Sequence, residues 1–288
     1  MADYAGGKRD SGHTSSRHRQ REVNSALDMS LEFRRDLIFD VGMNDGRDTA
    51  FYLHRGFRVV AVEANPVLYQ AGARNFANAI ESGRLVIEGV AVGPDRGKLP
   101  FYVSSKDIWS SFDRASATRE GCTCTTIQVS SVRMADLFTK HGVPHYIKID
   151  IEGADTYCLA DLSESCLPDY ISFEDGPETE QDLRRLYRLG YRRFKLINQD
   201  GLAFRSDFEV EPTSRRLYRR VRRKFKNVVR GRWYNDWNFE IGSSGPFGEE
   251  TDGRWVCFED FLKIRHRWRE LQSRQAGSRF WYDIHAGR

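Results

Sequence analysis

The chain has 288 residues, a net charge of +4, 40% hydrophobic and 12% aromatic residues, which is enough to bury a substantial core in one large domain with insertions. No stretch approaches the roughly 18 apolar residues that span a bilayer, and the first residues lack a secretory apolar segment. The expectation is a cytoplasmic enzyme with no membrane partner.

Residues 1–30 are rich in Gly, Ser, Arg and His without periodicity and read as a loose N-terminal arm, leaving 31–288 as a single domain. From there strand-like and helix-like stretches alternate. Strands are expected at 37–41, 58–62, 84–92, 145–150, 170–174 and 192–197, and helices at 47–55, 66–78, 132–141, 154–162 and 179–189. Such alternation predicts an α/β fold with a mostly parallel sheet and helices on both faces. Short added strands at 99–103 and 126–129 flank a polar loop at 104–125. Residues 196–256 interrupt the pattern as a lid or substrate-side insertion, and 257–288 read as a C-terminal helix and tail.

Five cysteines, an odd number, do not make a disulfide framework. Cys122 and Cys124 are the only close pair, with no further zinc ligands near them. Charge is uneven: between Thr213 and Asn235 there are ten Lys or Arg and no acid. The stretch 215–232 therefore has two readings, a solvated helix with Leu217, Val221, Phe225 and Val228 facing the body, or a track for the phosphates of RNA.

The run Leu37 to Val41 contains Asp40 and is followed by Gly42, Asn44 and Gly46. The next run, Arg58 to Val62, ends at Glu63. Ligands of open α/β sheets bind at the carboxyl ends of the strands. Glycines there allow a tight turn and a close approach, and Glu63 offers two acceptor oxygens to two ribose hydroxyls. An NAD-type oxidoreductase also uses such an acid, but its turn needs G-x-G-x-x-G to contact a pyrophosphate. The turn here carries Asp40 and Asn44 instead, which suits a ligand with an ammonium group and no phosphate. S-adenosyl-L-methionine fits that description.

A third strand, Tyr146 to Asp150, is followed by Glu152 and Gly153. Asp150 and Glu152 are placed to hold an ammonium or to act as general base on a hydroxyl, or else to cap a helix. Glu174 and Asp175 end a later strand, and with Asp150 they form a candidate Mg²⁺ site through hard oxygen ligands. His285, in Trp281-Tyr282-Asp283-Ile284-His285, is a further candidate base. That stretch and 243–250 read as a lid or an oligomer contact.

Taken in order, Asp40-Val-Gly-x-Asn-x-Gly46, Val62-Glu63-Ala64-Asn65-Pro66, Val90-Ala91-Val92-Gly93, Ser110-Ser111-Phe112 and Lys148-Ile-Asp-Ile-Glu-Gly-Ala154 resemble the FkbM family of S-adenosylmethionine-dependent methyltransferases. The resemblance covers about residues 36–195. It implies a class I methyltransferase (Rossmann-like) fold and O-methylation of a small hydroxylated acceptor such as a sugar or natural product. It also implies that Asp40, Gly42, Asn44 and Gly46 surround the methionine moiety, with Glu63 on the ribose, Asn65 and Ala91 near the adenine, and Ser110 and Ser111 in the cofactor set. Asp150 and Glu152 then lie beside the methyl group. Asp45 and Asp48 vary freely in such turns, and Asp45 receives no role.

Overall fold

The computed structural model describes residues 31–106, 109–176, 178–199, 233–240, 242–274 and 282–288. In chain order the strands are β1 (Phe33–Val41), β2 (Arg58–Val62), β3 (Leu85–Glu88), β4 (Ala91–Val92), β5 (Gly97–Ser104), β6 (Cys124–Val132), β7 (Val143–Ile149), β8 (Tyr170–Glu174), β9 (Arg193–Asn198), β10 (Trp233–Tyr234), β11 (Trp237–Asn238) and β12 (Tyr282–Gly287). The helices are α1 (Arg47–His54), α2 (Pro66–Asn75), α3 (Ala77–Glu81), α4 (Arg114–Ala117), α5 (Met134–His141), α6 (Asp155–Ala160), α7 (Thr179–Leu189) and α8 (Phe258–Arg274). The arm 1–30 and the basic stretch 215–232 lie outside the described residues.

Seven strands form the main sheet in the order β3-β2-β1-β7-β8-β12-β9. Neighbours from β3 to β8 pair in parallel, and β12 runs antiparallel to both β8 and β9. This is the class I methyltransferase arrangement. The order reverses between β1 and β7, and that switch point opens the crevice for a ligand.

Side-chain alternation sorts the core into two layers. Leu37, Phe39 and Val41 of β1 face one way, together with Ile147 and Ile149 of β7, and are covered by α5, α6, α7 and α8 through Phe138, Leu159, Leu186 and Phe261. Ile38 and Tyr146 face the other way, onto Phe51 and Tyr52 of α1, Ala79 of α3, and Phe239 and Phe247. Local sequence explains several boundaries. Asn65 caps α2 by accepting from the Val67 N–H at 3.0 Å, with Pro66 in the first turn. Gly190 ends α7 in the left-handed conformation at φ 111°.

Three expectations need correction. The strand expected at 84–92 is two strands, because the chain leaves the main sheet after Glu88. At Gly89 an added Cβ would come within 3.1 Å of the Tyr69 ring. Ala91–Val92 then joins a separate three-stranded sheet in the order β4-β6-β5. The helix expected at 66–78 is broken at Phe76 into α2 and α3.

The third correction concerns the C-terminal region. Residues 282–287 are an interior strand: Ile284 pairs with Phe173 on one side and Leu196 on the other. The described part of 233–256 packs on the body. Phe247 stacks face to face on Tyr146 with centroids 4.1 Å apart, and Phe51 of α1 meets Tyr234, Trp237 and Phe239. This segment covers a sheet face that would otherwise need a helix.

Phe247→Ala should therefore destabilise the fold by about 3–5 kcal/mol through lost burial and a residual cavity. Val67→Ala, at a position 68% exposed, should stay within about 0.5 kcal/mol. Denaturant unfolding monitored by circular dichroism measures both, and a Phe247 variant as stable as the Val67 variant would contradict the packing role.

Candidate functional site

A cavity of about 680 Å³ lies at the carboxyl ends of β1, β2 and β7. Its floor is the turn after β1. Gly42 and Met43 donate their N–H groups to the Val62 carbonyl at 3.0 Å, which folds the turn over the end of β2. Gly42 has φ +89°, and a Cβ there would stand 1.9 Å from the Asp150 carbonyl oxygen. Its missing side chain thus serves the approach of two chain segments, rather than only the approach of a ligand. Gly46, at φ +84°, lies outside this cavity, and a Cβ there would strike the Phe76 ring at 2.5 Å.

Glu63 lines the cavity with both carboxylate oxygens fixed. Oε2 accepts from the Asn44 N–H and Oε1 from the Asn65 N–H, each at 2.8 Å. Burial pushes its pKa up to about 7, against the pull of those two amides. Each oxygen keeps a lone pair for one further donor. Asn65 itself is a helix cap and does not line the cavity. Next to Glu63 the wall turns apolar, with Val90, Ala91, Leu68, Phe101 and Phe112.

The opposite end is charged, and its centre is Lys148. The Lys148 ammonium is buried 3.3 Å from Asp40, 3.4 Å from Asp48 and 3.5 Å from Asp150, and it donates to the Gly42 carbonyl at 3.3 Å. Burial alone would lower its pKa, but these carboxylates hold it well above the usual lysine value. Asp40 is fully buried and bonded inward to Lys148 and to the Thr49 hydroxyl at 2.6 Å. It does not reach the cavity wall, which corrects its expected place beside the methionine moiety. Its carboxyl is raised by burial, with Lys148 opposing.

Asp48, read from sequence as a freely varying position, is a junction. It pairs with Lys148 and accepts hydrogen bonds from the Ser243 hydroxyl and the Ser244 N–H. Neither Asp48 nor Lys148 carried a role in the sequence reading. The signal available for Lys148 was its spacing of two from Tyr146 and Asp150, which puts all three on one strand face.

Asp150, Glu152 and Glu174 line this end of the cavity together with Asp48. Glu152 has φ +52°, an uncommon conformation for a residue with a side chain, and it pairs with Arg119 at 3.0 Å. Burial and then Asp150 raise it, Arg119 opposes, and it titrates at about 7. Glu174 is pushed up to about 9 by burial and by Asp150, Glu152, Asp155 and Asp283. Asp155 ties the loop after β7 to the end of β8, accepting from the Ile151 and Glu174 N–H groups at 3.1 Å. Ser110 lines the cavity, whereas Ser111 stands behind it and donates to the Glu152 carbonyl at 2.8 Å.

Two expected site residues lie elsewhere. Asp175 is turned onto α8, paired with Arg265 at 2.8 Å and Arg269 at 3.5 Å. His285 is buried in the interior of the sheet beside Ser172 and Lys195, does not line the cavity, and burial lowers its pKa to about 3. A neutral imidazole sealed in that position cannot serve a reaction in the crevice. The expected Mg²⁺ set does not fit either. Asp175 is engaged by arginines and Asp150 by Lys148, and among the described residues no group of three His, Cys, Asp or Glu could hold a metal.

Glu174 yields a test of this electrostatic picture. Its folded pKa of about 9 lies above the ordinary glutamate value of 4.5. The stability it supports is complete below 4.5 and is lost as pH rises toward 9. Glu174→Gln should therefore gain on the natural chain progressively between those two pH values and match it near pH 4. Urea midpoints at pH 4, 7 and 9.5 read this directly, and a constant difference across the series would refute the raised pKa.

The Methyltransferase FkbM domain family matches residues 40–193. Among solved structures, the chain is similar to Methyltransferase FkbM from Methylobacillus flagellatus KT at 16% identity and TM-score 0.34, covering 50% of this chain and 33% of that one. This chain therefore spans about a third of that relative's length. It is also similar to the C-terminal domain of precorrin-6Y C5,15-methyltransferase from Rhodobacter capsulatus, at 12% identity and TM-score 0.35, covering 96% and 91%. A third is the O-methyltransferase from Bacillus cereus in complex with SAH, at 15% identity and TM-score 0.31, covering 66% and 76%. No curated protein matches the chain. The family match runs over more than half of the chain and takes in the turn after β1, Glu63, Lys148, Asp150 and Glu152: the chain belongs to the FkbM methyltransferase family.

Proposed function

We propose that this protein transfers a methyl group from S-adenosyl-L-methionine to a hydroxyl oxygen of a small acceptor, with sugars and hydroxylated natural products as the acceptor class. The observation that carries the reading is Glu63, whose two oxygens are aimed by the Asn44 and Asn65 amides into the cavity beside an apolar wall. The donor's chemistry fits the rest of the cavity: an adenine for Val90, Ala91 and Phe101, a ribose for Glu63, and a cationic methionine end for Asp150. The cavity's size lies within the ordinary range for cofactor sites. A pyrophosphate would meet Glu63, Asp45 and Asp150 instead of a glycine-rich anion cradle, which disfavours the NAD reading.

When bound, the donor supplies a methyl group already activated on a sulfonium. The chain's residues then have to align the acceptor, exclude water and take one proton. Glu152 is the residue we assign to the proton. It lines the cavity and titrates near 7, where a base is half available and still strong enough to act. Glu174, at about 9, keeps its proton at neutral pH and is suited to donate a hydrogen bond to the acceptor. Asp150 is engaged with Lys148.

Among the described residues no helix is long and apolar enough to cross a membrane. The five cysteines are free, which suits a reducing compartment such as the cytoplasm.

Calorimetric titration with S-adenosylhomocysteine, with NAD as control, tests the reading. The natural chain should bind the first and not the second. Glu63→Ala should weaken binding by about 100-fold or more, matching two lost charge-assisted hydrogen bonds of about 1.5–3 kcal/mol each. Unchanged affinity in a folded variant would remove the ribose assignment, and no binding by the natural chain would remove the methyltransferase reading.

A further inference from the structure

The residue that fixes Glu152 does not come from the sheet. It comes from the segment between β5 and β6, which crosses beside the cavity and contributes Trp109, Ser110, Phe112 and Arg119 to its wall. Two contacts from this segment hold Glu152. The Ser111 hydroxyl donates to its carbonyl at 2.8 Å, and Arg119 Nη2 lies 3.1 Å from Oε1 and 3.0 Å from Oε2. The first contact anchors a backbone with φ +52°, next to Gly153 at φ +89°. The second restrains the carboxylate itself.

Arg119 is held in turn. Its guanidinium carbon lies 4.6 Å from the Trp109 ring centroid, and the Lys106 ammonium lies 3.8 Å from the same centroid. Lys106 pairs with Glu120 at 3.6 Å. A planar guanidinium stacked on an aromatic ring keeps a fixed direction, which an ammonium on a flexible stem does not. The Arg119 Nε is buried without a hydrogen-bond partner.

We propose that Arg119 is a positioning residue for the methyl transfer, holding the Glu152 carboxylate in line with the acceptor from its seat on Trp109. The assignment rests on the methyltransferase reading for the acceptor, but the hold itself can be measured without one. Among the described residues, the charged groups that face Glu152 are Asp150 on its own loop, Asp155 of α6, Glu174 at the end of β8, and Arg119. Arg119 is the one cation in that set, so its loss should make Glu152 harder to ionise.

The experiment is an NMR titration of the full chain carrying ¹³C-labelled glutamate carboxyls, with the Glu152 signal assigned by its absence in Glu152→Gln. Arg119→Gln should raise the Glu152 midpoint by about one pH unit or more, and Arg119→Lys should restore most of the shift. Trp109→Leu, which keeps the cation and removes its seat, should move the midpoint in the same direction by less. It supplies the reading if the glutamine variant does not fold. A Glu152 midpoint unchanged in a folded Arg119→Gln, or in Trp109→Leu when the glutamine variant is unfolded, would overturn the proposal. Calorimetry with S-adenosylhomocysteine on the same samples separates the two ideas. Failure of the natural chain to bind would sink the methyltransferase reading, whereas binding with an unmoved Glu152 would sink only the role of Arg119.

Discussion

A buried ammonium surrounded by three carboxylates holds this site together. Burying a charge costs several kcal/mol of hydration, about as much for a carboxylate as for an ammonium, unless partners compensate at close range. Lys148 supplies compensation to three separate parts of the chain at once: Asp40 from β1, Asp48 from the first turn of α1, and Asp150 after β7. Through Asp48 the same charge reaches Ser243 and Ser244, which are distant in sequence. The turn after β1, the start of α1, the loop after β7 and the C-terminal segment therefore share one electrostatic origin. With the ammonium gone, Asp40, Asp48 and Asp150 would stand uncompensated in the same small volume.

Other carboxylates, which form no ion pair with Lys148, are raised as Asp40 is. Glu63, Glu152, Asp155, Asp283 and Glu174 are all raised, to between about 7 and about 9, with burial as the first cause in each case. Without enough cations, the protein keeps these groups near their neutral form and bonds Glu63 and Asp155 to backbone amides. The crevice thus holds, within one wall, groups suited to accept a proton and groups suited to donate one. Such an arrangement disfavours stability in isolation and favours a ligand that brings its own positive charge.

The sequence revealed most of the parallel part of the fold, because that part obeys local rules. β8 and α7 have the expected boundaries, since a short apolar run and an amphipathic stretch ending in Gly190 leave little choice. Glu63 was legible for the same reason, as an acid closing a buried strand. What escaped was set by contacts far apart in sequence. In β12 the alternation was masked by Asp283 and His285, two polar side chains buried on the sheet face that 243–251 covers. Phe239 and Phe247 lie in a stretch without periodicity, and only the face they meet shows that they are core. Asp175 looked like a metal ligand until its neighbours on α8, about 90 residues later, proved to be arginines. Arg119 lay in what read as a polar loop.

The position of β12 also dictates an order of events. β1, β2, β3, β7 and β8 can assemble from a continuous stretch that ends by Glu174, each strand finding a neighbour already made. β9 cannot join them, because the place beside β8 is taken by a strand that begins 84 residues after Asn198. Until Tyr282–Gly287 is available, β9 has among the described residues only its single bridge from Phe194 to Val256, and β8 keeps an open edge, the kind of exposed template that invites wrong pairing. Closing the sheet is a long-range step with a large loop to close. The last residues of the described chain are therefore the keystone of its assembly, and a nascent chain that lacks them holds a nearly complete crevice on a half-open sheet.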